Sequence, residues 1–129
     1  MTIDRNLLPG ASLAYLGDAV LEIMTRQYLL STGVTNPGKL NRLALDYVKA
    51  VNQSAGVERI LPLLTEAEEA VYKKGRNAHG ISAPKSASVS EYRRATGLEA
   101  LFAYLYLGGE QERMEELYRA AFVISPEET

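Results

Sequence analysis

Leu13-Ala14-Tyr15-Leu16-Gly17-Asp18-Ala19-Val20-Leu21 is the stretch on which the reading of this chain turns. Leu13, Leu16 and Val20, and beyond them Met24 and Tyr28, recur every three or four residues, the spacing that puts side chains on one face of an α-helix. Ser12 can cap the start and Gly33 can stop the end, so the pattern predicts a helix from about Ser12 to Thr32. Two choices inside it are unfavourable. A mid-helix glycine costs about 0.8–1 kcal/mol relative to alanine, and aspartate is a poor helix-interior residue that is rarely buried without a partner. Side by side, Gly17 and Asp18 imply close backbone packing at the first and a partner for the second. An exposed aspartate beside a packing glycine is the simpler account of the segment taken alone.

Outward from this helix the pattern stays helical. Asn36-Pro37 reads as a cap followed by proline at the first helical position, opening a second helix through about Asp46. A third is expected from about Lys49 to Ile60, with Pro62 disturbing its end. Thr65 and Glu68, and again Ser88 and Glu91, have the form of capping boxes, predicting helices to about Asn77 and to Gly108-Gly109. Between these two helices, His79 to Ala87 reads as a loop. A last amphipathic helix covers Glu110 to Phe122 and leaves a frayed tail, Ser125 to Thr129. Nothing alternates with period two for long enough to make a strand. The expectation is an all-α helical bundle without a sheet, one domain over residues 1–129 with its core at about 11–123.

Composition limits the function. Apolar residues are 47% and charged residues 23%, the balance of a globular protein rather than a disordered one. The absence of cysteine excludes disulfides, thiolate metal sites and a cysteine nucleophile, and agrees with a reducing cytoplasm. No signal peptide is visible, and the most apolar run, Leu98 to Leu107, is shorter than the roughly 20 residues a bilayer needs, so no membrane partner is expected. The net charge of −2 conceals a segregation: between Lys73 and Arg94 six basic residues face only Glu91, which is +5 locally and leaves −7 elsewhere. A polyanion responds to the field within about 10 Å, although such blocks are more often simply solvated.

A second carboxylate stands mid-helix near a glycine in Thr96-Gly97-Leu98-Glu99-Ala100-Leu101-Phe102. A carboxylate at the border of a core face usually reaches water or a lysine. The functional alternative is that Glu99 meets Asp18 from a facing helix and forms an oxygen site for a hard divalent cation such as Mg²⁺.

Tyr15-Leu16-Gly17-Asp18-Ala19-Val20-Leu21 resembles the signature helix of the RNase III family, and Glu99-Ala100-Leu101 followed by Tyr104-Leu105-Tyr106-Leu107 resembles its second acidic motif. Lys74-Gly75-Arg76-Asn77-Ala78, Pro84-Lys85, and Tyr92-Arg93 leading through Thr96-Gly97 to Glu99 are similar to the short branch called Mini-RNase III. The resemblance runs from about Leu13 to Phe122 with motifs in order. It implies a cytoplasmic, Mg²⁺-dependent endoribonuclease that cuts double-stranded RNA as a homodimer, leaving a 5′-phosphate and a 3′-hydroxyl. It further implies a role in maturing the precursor of large-subunit (23S) ribosomal RNA, with room for an assisting ribosomal protein, and no separate double-stranded-RNA-binding domain.

The chain departs from the larger family members in having Ala11, Ala14 and Thr96 where they carry further acids. Only Asp18 and Glu99 remain as catalytic residues and metal ligands, with Asp18 the essential one. Two acids favour one firmly held ion, its shell completed by water and RNA phosphate. Lys73, Lys74, Arg76, Asn77 and Lys85 are the candidate RNA contacts, acting on the minor groove of an A-form duplex. For the three cations of the helix end, charge complementarity to the helix terminus is an equal account. His79 has no assigned role, and Tyr104 and Tyr106 read as core or dimer interface. Loss of the extra acids motivates one alternative, a catalytically silent module that binds structured or ribosomal RNA.

Overall fold

The structure is a computed structural model that describes residues 1–78 and 88–124. Among the described residues six helices follow one another: α1 (Gly10–Ser31), α2 (Pro37–Val48), α3 (Ala50–Ile60), α4 (Glu66–Arg76), α5 (Val89–Leu107) and α6 (Gln111–Phe122), with a 3₁₀ turn over Leu61–Leu63. No strand occurs among the described residues, and the all-α class is borne out.

The sequence signals for helix ends act largely as expected. The Asn36 side chain accepts a hydrogen bond from the Lys39 N–H and Pro37 takes the first helical position. Both capping boxes are complete, Thr65 with Glu68 on α4 and Ser88 with Glu91 on α5. Gly33 follows α1 with φ +95°, the left-handed conformation glycine tolerates. The start of α1 differs. Pro9, not Ser12, is the cap, because its carbonyl already accepts from the Ser12 and Leu13 N–H groups and its extended backbone fixes the entry. Pro62, expected to disturb α3, is held in the 3₁₀ turn that follows it.

α5 is the axis of the molecule. It is apolar on nearly every side, which is the pattern of a helix enclosed by others, and Leu98, Leu101, Phe102 and Leu105 have no exposed surface. α1, α4 and α3 pack around it, and α6 closes against α3. Val20, Leu21 and Met24 of α1, Tyr72 of α4 and Leu117 of α6 complete the main core. Thr25 and Tyr118 bury their hydroxyls by hydrogen-bonding one another at 2.7 Å. α2 packs on α1 and α3 without burying any residue of its own.

The segment before α1 is fastened to the far end of α5. Arg5 donates to the Tyr104 carbonyl at 2.9 Å and to Glu110 at 2.7 Å, with its guanidinium 3.8 Å from the Tyr104 ring centre. Tyr104 is thus half-buried under this segment, whereas Tyr106 is exposed.

Candidate active site

Two helices can approach closely only where a side chain is missing, and α1 meets α5 at Gly17. A Cβ there would stand 1.7 Å from the Glu99 carbonyl oxygen and 2.8 Å from its Cα. The close packing inferred at Gly17 is therefore contact with the Glu99 backbone itself. Asp18, the next residue on α1, comes beside the Glu99 side chain. Glu99, partly buried, has its pKa pushed up to about 8, first by burial, then by the neighbouring Asp18 charge, and then by the hydrogen bond between the two carboxyls. Asp18 is exposed, so the pair opens to water on that side. The exposed Asp18 beside a packed Gly17 matches the simpler account of this segment, and the group that neighbours Asp18 is another acid. Among the described residues no third His, Cys, Asp or Glu joins them in a metal-sized group.

α4 is brought to the same place by two more missing side chains. A Cβ at Gly97 would lie 2.6 Å from the Tyr72 ring, and one at Gly75 would lie 2.5 Å from the Ala100 Cβ. The end of α4 also touches the first turn of α1, where a Cβ at Gly10 would lie 2.3 Å from the Lys74 carbonyl oxygen. Gly10 and Gly17 are about 10 Å apart along α1 at 1.5 Å per residue. The basic end of α4 therefore sits in the angle between the two helices that carry the acids.

Within that end, Lys73 is exposed and bridges Glu69 at 3.0 Å one turn back. Lys74 is exposed and has no ion-pair partner among the described residues. Arg76 donates through Nε to Asn77 Oδ1 at 3.1 Å, and its guanidinium stands 5.7 Å from the Tyr72 ring centre. The Asn77 N–H closes the helix on the Lys73 carbonyl at 2.9 Å. Arg94, part of the same basic segment, is instead committed to Glu58 and Ser54. Lys85 and His79 lie outside the described residues. Thr96 is buried and donates its hydroxyl to the Tyr92 carbonyl at 2.9 Å. Gly75, Gly97 and Tyr72 were not singled out as determinants of the site. The signal for the two glycines was the one that marked Gly17, a helix-interior glycine beside functional groups, and Tyr72 gave none.

The Ribonuclease III domain family model matches residues 11–110 of the chain. The Mini-ribonuclease 3 of Symbiobacterium thermophilum is 49% identical over 114 residues, 88% of each protein. That of Enterococcus faecalis is 47% identical over 116 residues, again 88% of each, and that of Brevibacillus brevis is 41% identical over 124 residues, 96% of this chain and 92% of the other. A crystal structure of a protein from Fusobacterium nucleatum superposes with a TM-score of 0.80 at 32% identity, covering 92% of this chain and 94% of that one.

Proposed function

Because the chain belongs to the ribonuclease III family, in its Mini-ribonuclease 3 branch, and is an endoribonuclease of that type, we propose that it hydrolyses double-stranded RNA at Asp18 and Glu99 with Mg²⁺, as a homodimer. The observation that carries this reading is the meeting of the two acids at the α1–α5 crossing. The pair fits a hard cation: it offers carboxylate oxygens only, and burial together with the neighbouring Asp18 charge disfavours an ionised Glu99, a cost that a divalent charge between the two would offset. Asp18 and Glu99 would hold the ion, with water and RNA phosphate completing its shell. When bound, it lowers the pKa of the attacking water and neutralises the leaving oxygen.

The protein's own groups do the rest. Asp18 supplies a charge at the open side of the pair. Glu99 would supply the second carboxylate to the ion, its backbone fixed against Gly17. Lys74 and Arg76, docked beside the pair by Gly75, hold the phosphate backbone in line. Cleavage leaves a 5′-phosphate and a 3′-hydroxyl. We extend the reading to a cytoplasmic role in maturing the large-subunit (23S) ribosomal RNA precursor, with a ribosomal protein as a candidate assistant. Mapping 5′-phosphate ends that vanish when the protein is depleted tests that role.

Support for the homodimer comes from an uncovered apolar face. Tyr15 of α1 is 86% exposed, and Ile23, Leu30, Leu45 and Val48 also face water. The last three border or line a groove of about 460 Å³ between α1 and α2. A second copy seated there would remove a contiguous apolar patch from water, the usual reason such patches exist.

The test is Asp18→Asn. The variant is expected to keep fold and dimer and to lose cleavage of a long RNA duplex in Mg²⁺, and EDTA is expected to stop the unaltered protein. Near-normal turnover by Asp18→Asn would refute the assignment.

A further inference from the structure

Acids outnumber bases 16 to 14 in this chain, and five of the described cations are tied to an acid. Arg5 pairs with Glu110, Arg26 with Glu22, Lys73 with Glu69, Arg94 with Glu58 and Arg113 with Glu68. Lys39, Arg42 and Lys49 are different. All three are exposed, and among the described residues none has an ion-pair or side-chain hydrogen-bond partner. They recur at i, i+3 and i+10 along α2 and its terminal residue, which places them on one helix face. Asp46, the one acid of α2, stands in the same stripe and bridges none of them.

Packing does not require cations there. The opposite face of α2, through Leu40, Ala44 and Val48, lines the apolar groove against α1. A third side, through Tyr47, packs on Tyr28 and Phe122. The charged face is what remains, directed outward.

The position of this face along α1 is informative. The basic end of α4 touches α1 at Gly10, two turns before Asp18. α2 lies against α1 from Glu22 to Leu30, beginning one turn after Asp18. The acid pair is thus bracketed along α1 by two elements that carry unpaired cations, Lys74 on one side and the α2 stripe on the other. From Lys39 to Lys49 is about 15 Å of helix, long enough to follow a nucleic-acid backbone past several phosphates.

We propose that the outer face of α2, through Lys39, Arg42 and Lys49, is a second contact for the phosphates of duplex RNA, beyond the cleavage site and on the opposite side of it from the end of α4. This rests on the double-stranded-RNA reading above. The contact is with backbone charge and adds affinity and alignment, while the acids perform the chemistry.

The experiment is fluorescence anisotropy of a labelled RNA duplex of about 30 base pairs, titrated with full-length protein in EDTA at several KCl concentrations. The Lys39→Ala/Arg42→Ala/Lys49→Ala variant is expected to bind about tenfold or more weakly at 100 mM KCl, with the plot of log Kd against log salt shallower by about two to three for each subunit that touches the duplex. Lys39→Arg/Lys49→Arg, which keeps the charges, is expected to retain the original slope. A triple variant with unchanged slope and affinity overturns the proposal, and so does an equal loss in the charge-preserving variant. Lys74→Ala/Arg76→Ala separates the two readings: if it flattens the slope while the α2 variant does not, α2 is excluded and RNA binding stands. If the unaltered protein binds no duplex even at low salt, the RNA reading itself falls and takes this contact with it.

Discussion

Metal-free protein should lose stability as the pH rises from about 5 to 8, and Asp18→Asn should remove much of that loss. The cause is Glu99, whose pKa stands near 4.5 in an unfolded chain and is pushed up to about 8 in the fold. Between those values the native state binds the proton and the unfolded state does not, so stability is full below about 4.5 and declines as pH rises through 8. Each pH unit corresponds to about 1.4 kcal/mol, so the whole interval amounts to on the order of 4–5 kcal/mol. Glu99 keeps some access to water, and local rearrangement should bring the measured loss to about 2–3 kcal/mol. Asp18→Asn removes the neighbouring charge and offers an amide N–H to the ionised Glu99. Burial, the largest cause, remains, so the decline should shrink without vanishing. The assay is urea unfolding in EDTA at fixed protein concentration, at pH 5, 7 and 9, for both proteins. Parallel pH profiles would show that the carboxyls do not sense each other, and the metal-site argument would lose its physical basis.

Three further outcomes follow from the packing. Gly17→Ala forces a methyl into the Glu99 carbonyl and should cost about 3 kcal/mol or more in urea unfolding. An unchanged midpoint would mean that the helices do not touch there. Arg113→Ala strands the buried Glu68 that the guanidinium grips at 2.7 and 2.9 Å and should destabilise by about 3 kcal/mol. Because Arg113 lowers the Glu68 pKa, its contribution is present above about 4.5 and lost as pH falls through the folded value, so the variant should show a weaker acid slope. Val123→Gly should raise stability by about 0.5–1 kcal/mol, since valine holds φ +54° after α6 while its side chain is exposed. A drop in its thermal midpoint would contradict this.

Local chemistry in the sequence was enough for the helices. Asn36-Pro37, Thr65 with Glu68 and Ser88 with Glu91 each satisfy a helix start within four residues, so they read correctly without tertiary information. The start of α1 did not, because Ser12 is a good cap in isolation and only Gly10 against the Lys74 carbonyl shows that the helix begins earlier. Asp18 stood out as a costly helix-interior residue, and Glu99 as a mid-helix carboxylate at the border of a core face. Their meeting depends on a contact between positions more than eighty residues apart, which no spacing rule encodes. The charge block was visible as composition, but its division into a bridged Lys73, a committed Arg94 and an unpaired Lys74 depends on Glu69, Glu58 and Ser54 lying where the fold puts them. The grip of Arg5 on Tyr104 gave no sequence signal, as a single arginine before a helix has many possible uses.

The order in which the helices are made has its own effect. α1 is synthesised first, yet the helix it needs is α5, which appears last but one. Until residues near 99 are available, Leu13, Val20 and Leu21 have no core to enter, and a growing chain presents an oily helix suited to a chaperone. No prematurely terminated product lacking α5 can bring the two acids together. A cell that interrupts translation of this protein is therefore left with a fragment to clear, in which the acid pair never forms.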